Sequence, residues 1–331
     1  MRWDDHGKFY TREIEERRTT AAPPRLAESL IELVKARLNA LVLVTAAAGF
    51  VVASPDSMNW PAFGWMLLGT GLCAASAAML NQLIEARRDA LMERTQDRPM
   101  PQRRFSPPLV FVGALVAGYA GGSVLVAFSG WLPAILAVGN VVLYAAVYTP
   151  LKPWTTLNTV VGAVCGAIPP MVGWTAVTGS LGAGAWILGG ILFVWQLPHF
   201  MALAWMYRED YRRGGFAMLS VKDPSGQVTA QTMVLTSLIL VPIALAGVLY
   251  GLSGWWYAAA AVVLGVWMTV VSLGFLFKRT DASARRVFFV SITYLPVLLI
   301  IMVLDRGAVS PETAVRGGRI VSTDSPAKVT P

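Results

Sequence analysis

The sequence predicts an all-α, polytopic membrane protein: nine transmembrane helices bundled around a site on the cytosolic side. Hydrophobic residues make up 55% of the 331 positions and charged ones only 14%, where a soluble domain carries roughly 25% charged residues. The charges are also bunched, leaving charge-free runs at 38–55, 57–84, 105–151, 153–207, 224–277 and 287–304. These runs are apolar throughout and do not alternate at period two, which excludes a transmembrane β-barrel. The mean hydropathy of +0.56 excludes a soluble or disordered chain.

A spanning helix needs about 20 mostly apolar residues. The runs at 38–55 and 57–84 each supply one span, as does 287–304, and the three longer runs supply two each. The long runs divide at Ser129-Gly130-Trp131, at Thr178 to Gly182 and at Gly251 to Gly254, compositions suited to tight exposed turns. Residues 1–33 are polar and mixed in charge, and their many acids read as a cytosolic leader and not a cleaved address. Residues 34–304 form the membrane domain, and 305–331 a flexible tail. Trp60, Trp131, Trp255 and Trp256 fall at outer span ends, as an interfacial belt requires.

With the amino terminus placed in the cytoplasm, the loops after the second, fourth, sixth and eighth spans hold all the loop Lys and Arg, and the four outer loops none. This is the positive-inside pattern, expected here for a bacterial inner membrane with the carboxyl terminus outside. The net charge of +8 is therefore a topology signal and gives no reason to expect a nucleic-acid partner. Cys73 and Cys165 fall inside spans without partner spacing and read as small buried hydrophobes.

Chemistry is expected on the cytosolic face, because the loops after spans two and six hold seven of the 19 acids and ten of the 27 bases. Asn81, Glu85 and Asp89 are spaced four apart, so successive members rotate about 400° along a helix and point the same way. Two carboxylates and a carboxamide on one face suit a hard cation such as Mg²⁺, which also takes phosphate oxygens. The alternative is a solvated helix end whose acids pair with Arg88 and Arg94. Asn81 favours the metal site, since its amide lies in an apolar stretch where an unpaired polar group is costly. Arg94, Arg98, Arg103 and Arg104 follow, placed to clamp an anion beside the carboxylates. His199 is an intramembrane ionisable group behind Pro198, and so a candidate by default, with a neutral interhelical hydrogen bond as its alternative. Asn158, Gly162, Gly166, Pro169-Pro170 and Gly173 read as close helix packing.

These segments resemble the UbiA-type intramembrane prenyltransferases, in particular the branch that farnesylates haem. The likeness rests on Val34-Lys35-Ala36-Arg37, Asn81 to Pro99, Tyr148 to Lys152, Asn158 to Trp174, Trp195 to Leu219 with its Gln196-Leu197-Pro198-His199-Phe200, and Ser283 to Pro296. It implies transfer of farnesyl from farnesyl diphosphate to a haem b vinyl group, with Mg²⁺ held by Asn81, Glu85, Asp89, Glu209 and Asp210. Lys35, Arg37, Arg94, Arg98, Lys152 and Arg208 are implied at the diphosphate, and His199 at haem iron or at the water that ends the reaction. It further implies membrane lipid, and a haem A synthase or oxidase assembly proteins, as partners. Two departures stand out. The middle acid of the first loop is Glu85 where the family usually has aspartate. Tyr207 and Tyr211 occupy second-loop positions where many relatives carry aspartates. A quinone-pathway acceptor, a secondary transporter and a non-catalytic oxidase assembly factor are the competing readings.

Overall fold

The computed structural model describes residues 25–54 and 57–306. The leader up to residue 24, Asp56 and the tail from residue 307 lie outside the described residues. Within the described residues, nine helices are long and apolar enough to cross a bilayer. A short α1 (Leu26–Leu33) precedes them. The spans are α2 (Ala36–Ala53), α3 (Trp60–Asp89), α4 (Pro107–Phe128), α5 (Trp131–Leu151), α6 (Asn158–Thr178), α7 (Ala183–Met206), α10 (Gln227–Leu249), α11 (Trp255–Lys278) and α12 (Asp281–Leu304). Between α7 and α10 lie the short α8 (Arg208–Arg213) and α9 (Leu219–Lys222).

The long runs divide where expected: Gly179 and Gly251 end helices with φ of 65° and 69°, values a side-chain-bearing residue adopts only under strain. Helix ends overshoot the charge-free runs, because hydropathy marks the hydrocarbon layer whereas a helix continues until something caps it. Thus α12 begins six residues before 287, at Asp281. There Thr280 Oγ1 accepts from Ser283 N at 3.3 Å and Ser283 Oγ accepts from Thr280 N at 3.1 Å. By the same logic α3 continues to Asp89 and carries the candidate residues on its last turns. Part of the polar leader is itself helical, since α1 covers residues 26–33.

Two apolar cores divide the bundle. One gathers Phe50, Met66, Leu125, Ala137 and Val172 from α2 to α6. The other gathers Leu188, Met233, Tyr257, Met268 and Tyr294 from α7 and α10 to α12. The glycines of α6 serve packing, as expected: a Cβ on Gly173 would stand 1.9 Å from the Ala46 carbonyl oxygen. Cys73 and Cys165 are free and buried. Trp60, Trp131, Trp255 and Trp256 are exposed at helix ends.

Asp223 fixes the start of α10. Its carboxylate accepts from Thr229 N at 2.9 Å, Thr229 Oγ1 at 3.0 Å and Ser225 Oγ at 2.7 Å. Burial works to raise its pKa, but these donors outweigh it and hold the carboxyl below the usual carboxylate range. A depressed folded pKa contributes stability that is complete above the unfolded value near 4 and lost as pH falls through the folded value. Asp223→Asn is accordingly expected to cost about 1.5–3 kcal/mol near neutral pH. The deficit should shrink on acidification below about pH 4, as followed by thermal unfolding in detergent.

Candidate active site

The candidate site is built at one end of the bundle from the last turns of α3, the hinge between α1 and α2, the end of α5 and the loop after α3. Asn81, Glu85 and Asp89 share one face of α3, as their spacing requires, and are buried at 0%, 4% and 1% exposure. Each faces a different cation. Asn81 Oδ1 accepts from Lys35 Nζ at 2.5 Å, Glu85 Oε1 lies 2.7 Å from Lys152 Nζ, and Asp89 Oδ2 accepts from Arg98 at 2.8 Å. This overturns the solvated-end alternative, because the acids pair with neither Arg88 nor Arg94. Arg88 instead donates to the carbonyls of Gly214 and Gly215 at 3.0 and 3.1 Å.

Local backbone brings these cations in. Lys35 sits in the left-handed region, at φ 50° and ψ 50°, a conformation costly for a residue with a side chain and concentrated at functional sites. Lys152 follows a π-helical stretch, Leu143–Tyr148, inside α5. Pro150 lacks the N–H that an α-helix would use there, and Thr149 Oγ1 reaches back to the Tyr144 carbonyl at 2.8 Å. The same hydroxyl accepts from Asn81 Nδ2 at 3.0 Å, orienting the carboxamide with its oxygen toward Lys35.

Burial, then the nearby Arg98 and Lys152 charges, push the Lys35 ammonium down to about 7, against the opposing pull of Glu85 and Asp89. Burial would also lower Lys152, but the Glu85 carboxylate outweighs it and holds this ammonium above its ordinary value. The site is therefore crowded with positive charge and suited to an anion bearing several negative oxygens.

The donors fit a divalent cation. Asp89 Oδ1 is buried with no hydrogen-bond donor, and Glu85 Oε1 has the Lys152 ammonium nearby but out of hydrogen-bond alignment. An orphaned carboxylate oxygen beside a carboxamide and a second carboxylate is the all-oxygen set that Mg²⁺ takes. Among the described residues no three His, Cys, Asp or Glu side chains gather as a metal cluster, so the set reaches three donors only through Asn81.

Other expected site residues fall elsewhere. Glu209 is exposed and paired with Arg212, and Asp210 is buried on loop contacts outside the row. Arg208 pairs with Asp281 at 2.6 Å and lies over the Trp205 ring, while Arg37 is exposed on α2. His199 stacks between Trp195 and Phe288, with centroids 5.1 and 4.9 Å away, and its Nδ1 lies 2.8 Å from Ser291 Oγ. That is the interhelical environment of its alternative reading.

Gln82 was not foreseen. Fully buried, it donates to the Glu32 and Leu33 carbonyls at 2.8 and 2.9 Å, and so holds the end of α1 next to the Lys35 hinge. The signal was available, since a second carboxamide stands beside Asn81 in the same apolar stretch. Gln82→Leu would take the side-chain donor from both carbonyls, and because Glu32 O keeps the Lys35 N–H at 3.0 Å, the Leu33 carbonyl carries the main cost of about 1–3 kcal/mol. Amide exchange over residues 26–35 is then expected to quicken about tenfold or more, and unchanged exchange would show that α1 is held by other contacts.

Comparison with known proteins agrees with this architecture. The profile of the UbiA prenyltransferase family matches residues 42–293. Protoheme IX farnesyltransferase of Salinibacter ruber is 43% identical over 274 residues, which is 82% of this chain and 96% of that protein. The protein of that name from Opitutus terrae is 38% identical, covering 87% and 98%. The mitochondrial protoheme IX farnesyltransferase of Homo sapiens is 40% identical over 82% of this chain, which spans 61% of that longer protein. In fold, the chain resembles a UbiA homolog from Archaeoglobus fulgidus solved with DMAPP and Mg²⁺, with a TM-score of 0.61 and 13% identity over 83% of this chain and 99% of that one. A nine-span bundle, a buried oxygen row met by cations and a family profile covering most of the membrane domain lead to one conclusion: the chain belongs to the UbiA prenyltransferase family.

Proposed function

We propose that this chain is a Mg²⁺-dependent prenyltransferase that moves the farnesyl group of farnesyl diphosphate onto a vinyl group of haem b, giving haem O. The observation that carries the reading is the buried row Asn81–Glu85–Asp89 with a separate cation on each member. Relatives named protoheme IX farnesyltransferase, at 38–43% identity over most of the chain, support haem as the acceptor.

Mg²⁺ held by Asn81, Glu85 and Asp89 would neutralise charge on the diphosphate oxygens as they leave. Lys35, Lys152, Arg94 and Arg98 bind the same oxygens and stabilise the charge that develops in the transition state. The farnesyl C1–O bond breaks with its electrons going to diphosphate, the vinyl carbon bonds to C1, and water adds to the cation left beside the porphyrin and loses a proton. A narrow cavity between α2, α3, α5 and α6, lined by Val42, Thr70, Cys73, Ala77, Asn140 and Ile168, would have to widen by parting these helices to admit an isoprenoid chain. Its Ala77 wall lies one helical turn before Asn81. For His199 to reach haem iron, the imidazole must leave the Trp195–Phe288 stack.

The one-sided cations support a cytosolic site in an inner membrane, and a haem A synthase or oxidase assembly proteins would receive the product. The rival transporter reading expects charge near mid-membrane, whereas here the acids and bases of the candidate site gather at one end, with only His199 deeper in a span. The test is to incubate purified protein with haem b and labelled farnesyl diphosphate, with and without a chelator, and to separate the pigments. Label is expected in a more hydrophobic haem only when Mg²⁺ is present. Label transferred to an added aromatic acid but not to haem would overturn the acceptor, and no diphosphate release would overturn the enzyme.

A further inference from the structure

The loop after α3 and the segment around α8 meet at Arg94. Its backbone N–H donates to Asp210 Oδ2 at 3.2 Å, and its guanidinium donates to the Tyr211 hydroxyl at 3.2 Å. The guanidinium carbon lies 4.9 Å from the Tyr207 ring centroid and 5.7 Å from that of Tyr211. The preceding residue is bound by the same segment: Glu93 N donates to Asp210 Oδ1 at 3.3 Å, and the Glu93 carboxylate pairs with Arg213 at 2.9 Å. Arg213 also bonds Asp210 Oδ1 at 2.5 Å. Both oxygens of Asp210 are thus engaged, while Glu209 turns outward to Arg212.

The partners are chemically telling. A carboxylate beside a guanidinium would neutralise it and repel an arriving diphosphate. Aromatic faces and one hydroxyl orient a guanidinium without cancelling its charge. Of its five N–H donors, Tyr211 takes one and leaves the rest for oxygens of a ligand. We propose that Tyr207, Asp210 and Tyr211 form a positioning cradle that aims Arg94 at the leaving diphosphate, and that this second acidic segment holds no metal of its own. The proposal rests on the diphosphate reading of the Asn81–Glu85–Asp89 row.

The test uses the full chain in lipid nanodiscs. Tyr211→Phe and Tyr207→Leu are each expected to lower kcat/KM for farnesyl diphosphate roughly 10- to 100-fold, leaving half-saturating Mg²⁺ unmoved. In an Arg94→Gln background the same changes should have little further effect. In substrate-free protein, Asp210→Asn should speed amide exchange at Glu93 and Arg94 at an unchanged count of bound Mn²⁺ by electron paramagnetic resonance. Full additivity with Arg94→Gln would overturn the cradle, as would a shifted Mg²⁺ requirement or a lost Mn²⁺ in Asp210→Asn. Should Asp210→Asn not fold, the Tyr211→Phe cycle, which keeps the ring, decides alone. Amide exchange and Mn²⁺ counting need no acceptor, so they separate failure of the cradle from failure of the haem reading.

Discussion

Asp89→Ala is expected to abolish haem O formation, with turnover down about 10³-fold or more, while the protein still inserts and folds. Removal of one preorganised group that stabilises transition-state charge costs about 10²–10³, and Asp89 supplies both a metal ligand and the anchor of Arg98. Its Oδ1 is the buried oxygen without a donor, and its Oδ2 holds Arg98 at 2.8 Å. Folding should survive, because the Arg98 side chain is 21% exposed and can take up water when its partner is lost. Asp89→Asn, which keeps the shape but not the charge, should fail nearly as completely. Pigment analysis of membranes, with the variant quantified by immunoblot, checks both. Unchanged turnover in Asp89→Ala would reject the row as the metal site.

Lys152→Met should lose stability as well as activity. The Lys152–Glu85 pair is among the least exposed in the protein, with side chains 11% and 5% exposed. Removing one partner of a buried pair strands the other charge, at about 3–5 kcal/mol. Adding Glu85→Leu removes the stranded carboxylate, and an apolar pair of similar volume can replace a buried ion pair at little or no cost. The double variant is therefore expected to regain most of the thermal stability lost by Lys152→Met yet remain inactive, as read from unfolding in detergent beside turnover. A double variant that regained turnover would reduce the pair to scaffolding.

The spans and the row were legible because each follows from local arithmetic: bilayer thickness sets the run length, and the helical pitch sets the four-residue spacing. The cations that meet the row were harder to read. Lys35 is 46 residues from Asn81, and the left-handed backbone that delivers it carries no glycine to mark it. Chain proximity also misled, since Arg88 lies within the row's own stretch and Arg94 just beyond it, yet they turn to Gly214 and to the α8 segment. Within α8 a single-residue step decides the outcome: Glu209 is exposed, while Asp210 is buried. The rule for intramembrane charge found His199 but not its aromatic slot, which Phe288 supplies from another helix. Gln82 went unread although its carboxamide stands in the same apolar stretch as Asn81, and Thr149 because a hydroxyl can bond back to its own helix and so demands no partner elsewhere.

The wide turn at Leu143–Tyr148 makes the end of α5 sensitive to chain length as much as to composition. Each residue added or removed in an α-helix swings everything beyond it by about 100°, and a π turn is a place where one surplus residue is absorbed. Trimming one amino acid from this stretch would return it to ordinary pitch, whereas removing one between it and Lys152 would swing that ammonium off Glu85 on α3. The interval between the two halves of this site is thus metered in whole residues, and side-chain swaps there are the gentler change.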